Sequence, residues 1–273
     1  MIYDCFTFFN ELDLLEVRLE ELYPVIDKFV ICESNITHSG NKKPLYFLDN
    51  KDRYAKYMDK IVHLVFNKEK SDNWQYSDNW KTENDQRRFL IRGIDLNTLQ
   101  DSDKIMISDV DEIPKREIIY QLKKKEIEAP VTLTLRLFYT RLTNMVVAPD
   151  GVANWRGPVI INGKILSKNL DLQFYRDFKD SFEYIRFWEY PPPLSNCGWH
   201  FSYIGNRETV IQKIESFAHQ ESNTEEVKRI LSKNNNICTD PFDRPEFILE
   251  KVEINDNYPE LIKNSPERFN HIT

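Results

Sequence analysis

No stretch of the 273 residues approaches the roughly 20 consecutive apolar residues that a membrane span needs. The opening Met1-Ile2-Tyr3-Asp4 has no basic start, and the apolar run Cys5 to Phe9 is too short for the core of a secretory leader. Cysteine is scarce. The four, Cys5, Cys32, Cys197 and Cys238, show no C-x-x-C spacing. Cys5 and Cys32 lie in apolar runs and read as buried thiols, so a reducing, cytoplasmic compartment is the expectation. The sequon Asn35-Ile36-Thr37 then reads as an ordinary loop. Positive charge is also short: 37 Lys and Arg against 44 Asp and Glu give a net charge of -7. That balance argues against general nucleic-acid binding. It does not exclude an anionic substrate, because charges beyond about 8 Å are largely screened at physiological salt and local groups decide. Internal repeats, low-complexity tracts and a clear linker are all missing, so one domain over residues 1–273 is expected.

What is present is alternation. Ile2 to Phe9 reads as a strand, and Glu11 to Tyr23 as an amphipathic helix with Leu12, Leu15, Leu19 and Leu22 on one face. Strands follow at Lys28 to Cys32, Ile61 to Phe66, Ile105 to Ser108 and Val131 to Phe138, the last alternating as a half-buried strand. Between them, Asp52 to Met58, Lys81 to Gly93 and Lys115 to Lys125 read as helices, Gly93 serving as a C-terminal stop. Such alternation predicts an α/β fold with a mostly parallel sheet flanked by crossover helices. After Tyr139 the pattern loosens into an elaborated C-terminal half. It holds a rigid Pro191-Pro192-Pro193 loop, a strand at Gly198 to Tyr203, and helices at Glu208 to Phe217 and Glu225 to Leu231.

The densest chemistry lies in Lys104-Ile105-Met106-Ile107-Ser108-Asp109-Val110-Asp111-Glu112-Ile113-Pro114. A buried strand delivers two carboxylates, and Pro114 fits the first turn of a following helix. In open α/β sheets, ligands bind outside the carboxyl ends of the strands. Positions i and i+2 of a strand share a face, with Cα atoms roughly 6–7 Å apart. Two bare carboxylates about 5 Å apart would repel by ~3 kcal/mol at an effective dielectric of 20. A divalent cation turns that repulsion into attraction, and oxygen ligands suit Mg2+ or Mn2+. Two readings stand side by side: a metal site holding an anion, most simply a diphosphate, or a solvated acidic turn favoured by the positive end of the next helix.

An ordered set of motifs resembles glycosyltransferase family 17. It runs Glu11-Leu12-Asp13-Leu14-Leu15-Glu16-Val17-Arg18, Val30-Ile31-Cys32-Glu33-Ser34-Asn35, Lys43-Pro44-Leu45, then Trp80, Glu83 and Arg87, then Asp109-Val110-Asp111-Glu112-Ile113-Pro114 and Gly198-Trp199-His200. The set covers roughly residues 1 to 220, with the chain after Phe138 following the family loosely. The resemblance implies a GT-A-like, Rossmann-like fold, a UDP-sugar donor such as UDP-N-acetylglucosamine, a glycan acceptor, a divalent metal (Mn2+ or Mg2+) and inversion at the sugar carbon. It divides the domain into a nucleotide-sugar half (1–138) and an acceptor half (139–273).

On that resemblance, Asp109, Asp111 and His200 are the expected metal ligands. Glu33 is expected to bind uridine or ribose, or else to cap Ser34 or Asn35 backbone groups. Glu11 either faces the nucleotide or caps its helix. Arg87, four residues after Glu83, offers a guanidinium fork to phosphate, or is a surface pair worth under about 1 kcal/mol. Trp199 stacks on sugar or base, or fills the core. Inversion needs a base for the acceptor hydroxyl. Glu221 in Ala218-His219-Gln220-Glu221 is the first candidate and Glu189, beside Trp188, the second. Two other classes compete. Haloacid-dehalogenase-like phosphatases use D-x-D with the first Asp as nucleophile, usually near the chain start and with Thr or Val where this chain has Ile113. A glycan-binding module without catalysis would rely on Trp155, Trp188 and Trp199.

Overall fold

The computed structural model describes residues 1–148, 151–177, 179, 194–233, 240, 242, 244 and 247–273. Four strands, β1 (Ile2–Thr7), β2 (Lys28–Ser34), β3 (Ile61–Phe66) and β4 (Lys104–Asp109), run parallel in the order β3-β2-β1-β4. The crossovers carry α1 (Leu12–Leu22), then the short α2 (Tyr46–Asp49) with a 3-10 stretch Lys51–Tyr57, then α3 (Tyr76–Phe89). Because helices cover both faces, the central strands are continuous apolar runs rather than alternating ones. Residues such as Phe6 and Met106 pack on the α1 side, and Cys5, Val30 and Ile107 on the other.

The parallel block ends at β4. The next strand in the sheet is β9 (Asn154–Asn162), antiparallel to β4, followed by β6 (Val131–Tyr139), β7 (Asn144–Ala148) and β11 (Ile248–Lys251), all antiparallel, with the two-residue β8 (Gly151–Val152) paired to β7. β10 (Gly198–Ser202) runs parallel to β6 and antiparallel to the three-residue β5 (Glu112–Pro114). The expected α/β sheet is present, and its elaboration in the C-terminal half is this antiparallel extension. β6 was expected to be half-buried, yet Thr132 and Thr134 are buried with the leucines, because neighbouring chain covers both faces.

Three local expectations change. Pro114 does not open a helix: it closes β5, and α4 (Arg116–Lys123) starts two residues later. The reason is Gly198, where an added Cβ would stand 2.1 Å from the Ile113 carbonyl, so β10 lies directly on this segment. Gly93 stops a 3-10 turn rather than an α-helix. Its small size matters because a Cβ there would meet Val30 at 2.2 Å. Finally, α3 begins at Tyr76, five residues before the expected Lys81, because the Asp78 carboxylate accepts the Gln75 N–H at 2.8 Å and caps the helix start.

Cys5, Cys32 and Cys197 are free and buried, as expected for the first two; Cys238 lies outside the described residues. Burial pushes the Cys32 thiol up to about 12 and Cys197 up to about 11. Since the thiolate is the reactive form, a thiol reagent at pH 8 should titrate no more than the one equivalent from Cys238 in the folded protein, and all four after denaturation. Three fast equivalents in the folded protein would show that these thiols are not enclosed.

Candidate active site

The C-terminal ends of β1 and β4 open into a cleft of about 560 Å³, walled further by α3, by α6 (Leu172–Asp177), which follows the one-turn α5 (Gly163–Leu166), by β10 and by α7 (Arg207–Ser216). This is where an open α/β sheet places its ligands. Register puts Asp109 beside Thr7 at the ends of paired strands, and the Thr7 hydroxyl donates to Asp109 at 3.3 Å. Asp109 shares its strand face with Ile105 and Ile107, so it points towards the layer that holds α3 and α6. Arg87 of α3 meets its Oδ1 at 2.9 Å and Arg176 of α6 its Oδ2 at 3.0 Å. Burial pulls this carboxyl up, but the two guanidinia outweigh it and hold Asp109 far below the usual range.

Asp111 lies beyond the strand, in the turn between β4 and β5. The shared strand face expected of the pair therefore does not exist, and the two acids have separate partners. Lys213 of α7 reaches Asp111 Oδ2 at 2.9 Å, and His200 Nε2 lies 3.6 Å from Oδ1. Burial opposes ionisation, yet Lys213 and His200 hold Asp111 well below the ordinary range. Lys213 also meets Glu11 at 3.0 Å, and Asp111 and Glu11 together keep its ammonium charged against burial. Glu112 faces inward, not towards the start of α4. It is fully buried and accepts from the Asp109 N–H at 3.0 Å, from the Trp155 indole and, at 2.6 Å, from Arg176.

Beneath the turn sits Arg18, with no exposed side-chain surface. Its guanidinium pairs with Asp4, donates to Ser108 Oγ at 2.6 Å, and donates to the carbonyls of Asp109 (3.0 Å), Val110 (3.3 Å) and Glu112 (2.7 Å). One side chain thus holds the backbone of the acidic turn. Arg18 lies four residues from both Leu14 and Leu22, on the face that packs against the sheet.

Glycosyltransferase family 17 has a sequence profile that matches residues 1–242 of this chain. The chain belongs to glycosyltransferase family 17. This membership sets aside the phosphatase alternative. Among relatives of this family-17 chain are the beta-1,4-mannosyl-glycoprotein 4-beta-N-acetylglucosaminyltransferases of Homo sapiens, Rattus norvegicus and Mus musculus. Each is 27% identical over 221 residues, covering 76% of this chain and 41% of the relative. The chain thus spans about two-fifths of the length of those relatives. A solved structure of 2-C-methyl-D-erythritol 4-phosphate cytidylyltransferase from Francisella tularensis aligns over 72% of this chain and 88% of its own, at 13% identity and a TM-score of 0.34.

In this family-17 chain the expected site residues divide. Glu11, Arg87, Asp109, Asp111 and His200 all line the cleft. Glu11 does not cap its helix: its carboxylate accepts the Phe9 and Asn10 N–H groups and meets Lys213. Arg87 is buried, not a surface pair, and its terminal nitrogens are spent on Asp109, Glu83 and Gln173, so it presents no open fork to phosphate. Glu33 is a correction. It is fully buried and does not line the cleft; it accepts the Phe47 and Leu48 N–H groups at 3.0 Å each and pairs with His63 at 2.8 Å. Its carboxylate anchors α2, 14 and 15 residues along the chain from Glu33, and not the adjacent loop groups expected to need it. Trp199 is a second correction: it fills the core among Phe138, Phe201 and Tyr258 and donates to the Asn257 carbonyl. Glu221 stands at the rim, half-exposed, accepting from the Tyr76 hydroxyl and meeting His219 Nδ1 at 2.6 Å; His219 lines the cleft. Burial pulls the Glu221 carboxyl up, but those two hydrogen bonds hold it below its ordinary value. Glu189 and Trp188 lie outside the described residues.

Lys213 and Arg176 were missed. Both carried a signal: Lys213 follows Val210 by three residues and Arg176 follows Leu172 by four, which puts each cation on a buried helix face. A charge on an apolar stripe needs a buried partner.

The family resemblance implies a divalent metal, and the donors around the cleft fit it only in part. Among the described residues, no three His, Cys, Asp or Glu side chains converge as a ready metal shell, and both oxygens of Asp109 are held by guanidinia. A position for a cation nevertheless exists. The Lys213 ammonium sits between Asp111 and Glu11, at 2.9 and 3.0 Å, a stand-in for a cation there. His200 Nε2 stands beside Asp111. The two carboxylates are oxygen donors of the kind that suits Mn2+ and Mg2+.

Proposed function

We propose that this chain is a metal-dependent inverting glycosyltransferase that moves a sugar, N-acetylglucosamine, from UDP-N-acetylglucosamine to a glycan acceptor. Membership of family 17 together with a charged cleft at the ends of the parallel strands supports this reading. The strand ends of residues 1–138 supply the donor side, and residues from 139 onward supply His200, Lys213 and the His219–Glu221 part of the rim facing the acceptor. Asp111, Glu11 and His200 would hold a divalent cation, and Asp109 would join them only by releasing a guanidinium. Such a cation, when bound, would offset the charge of the leaving diphosphate. The chain's own residues do the rest. Arg87 and Arg176 fix the Asp109 carboxylate. Lys43, held over the Phe9 and Tyr46 rings at 5.4 and 5.1 Å, adds a cation at the cleft wall. Trp80, whose ring meets His219 at 4.4 Å between centroids, gives the rim an apolar face on which a sugar ring can lie. The rim pair His219–Glu221 would take the acceptor proton.

The test is a nucleotide-sugar screen reading UDP release with a panel of glycan acceptors. UDP-N-acetylglucosamine should be turned over, chelation should abolish turnover, and Mn2+ or Mg2+ should restore it. Full turnover by metal-free protein in excess chelator would remove the metal, and exclusive use of another nucleotide sugar would remove the donor assignment.

A further inference from the structure

Lys213 is an unusual neighbour for a metal position. It lies on the buried stripe of α7 with Val210 and Ile214, so packing directs its stem inward. Its ammonium bridges Asp111, in the turn after β4, and Glu11, at the start of α1. The side chains are only 20%, 7% and 9% exposed for Lys213, Asp111 and Glu11, so water screens the cluster little. A divalent cation needs the same oxygens. It must therefore displace the ammonium, and a displaced, half-enclosed ammonium must find another anion.

The geometry points to Lys213 as a built-in competitor for the divalent cation, one that gives up Asp111 and Glu11 only when the diphosphate of the donor is present to receive its charge. This rests on the metal-dependent reading of the site. Two consequences follow from charge alone. Metal binding without nucleotide is weakened by Lys213. Metal and nucleotide then favour each other, and the coupling is reciprocal, since it is a free energy shared by the two sites.

Free Mn2+ can be followed by its paramagnetic resonance signal, with and without UDP, for the wild type, Lys213→Gln and Lys213→Arg, each checked for folding by circular dichroism. The wild type should bind Mn2+ weakly alone and more tightly with UDP. Lys213→Gln should bind Mn2+ alone about tenfold or more tighter than the wild type, within the range typical of such coupling, and should lose most of the gain that UDP confers. Lys213→Arg keeps the charge and should keep the weak metal binding. If the wild type binds Mn2+ with UDP but Lys213→Gln binds it alone no better than the wild type, Lys213 is not a competitor and the metal reading stands without it. If the wild type binds no Mn2+ even with UDP, the metal reading fails and this inference with it.

Discussion

Arg18→Met is expected to destabilise the protein by about 3–5 kcal/mol, the usual cost of removing one partner from a buried ion pair. Asp4 and Arg18 are both fully enclosed, and the guanidinium also serves Ser108 and three carbonyls of the acidic turn. Methionine fills the stem space over Phe6, where the guanidinium now lies 4.3 Å from the ring centre, so the loss reports charge and hydrogen bonds rather than a cavity. Burial alone pushes the Asp4 carboxyl up. Without Arg18 the folded state therefore favours protonated Asp4, more strongly than the unfolded chain does. The variant's deficit relative to wild type should shrink as pH falls towards 4 and grow as pH rises. Urea denaturation at several pH values reads both effects. Asp4→Leu combined with Arg18→Met should recover part of the loss, since an apolar pair replaces the stranded charge. It should not recover all of it, because the turn carbonyls stay without donors. A cost under about 1 kcal/mol would mean that the guanidinium is not the clamp of the turn.

The largest kinetic effect is expected at the rim. Glu221→Gln should lower turnover of donor plus acceptor by about 100-fold or more, since general-base catalysis contributes roughly 10²–10⁴-fold. UDP affinity should be almost unchanged, because the base acts on the acceptor. The amide keeps the shape that meets Tyr76 and His219 but loses the charge. In the wild type, those two hydrogen bonds keep the carboxylate ionised below the ordinary glutamate range, so turnover should persist into mildly acidic solution. His219→Ala separates two routes for the proton: an equal loss means that the imidazole carries it and Glu221 orients the ring, and a small loss means that the carboxylate takes it directly. Glu189→Gln is the control. Wild-type turnover in Glu221→Gln, with the selective loss in Glu189→Gln, would move the base away from this rim.

Much of this molecule was legible in its sequence because the relevant physics is local. Continuous apolar runs made β1, β2, β3 and β4 readable as buried strands, and helical spacing of leucines fixed α1. Strand-helix alternation set the parallel block, and a parallel block places ligands at its C-terminal edge, where Asp109 lies. Motif order identified family 17. Which side of that edge a residue occupies was decided by tertiary structure. Glu33 ends a strand at the right edge but is drawn under α2 by backbone N–H groups that nothing nearby in sequence announces. Trp199 is buried because β10 is gripped between β5 and β6. Asp109 and Asp111 look like a matched pair in the sequence. They differ because the chain turns after Asp109, sending one carboxylate to two guanidinia and the other to Lys213. Ion pairing between residues roughly 100 apart, such as Asp111 with Lys213, depends on where helices land after the sheet is assembled, and spacing along the chain carries no information about that distance.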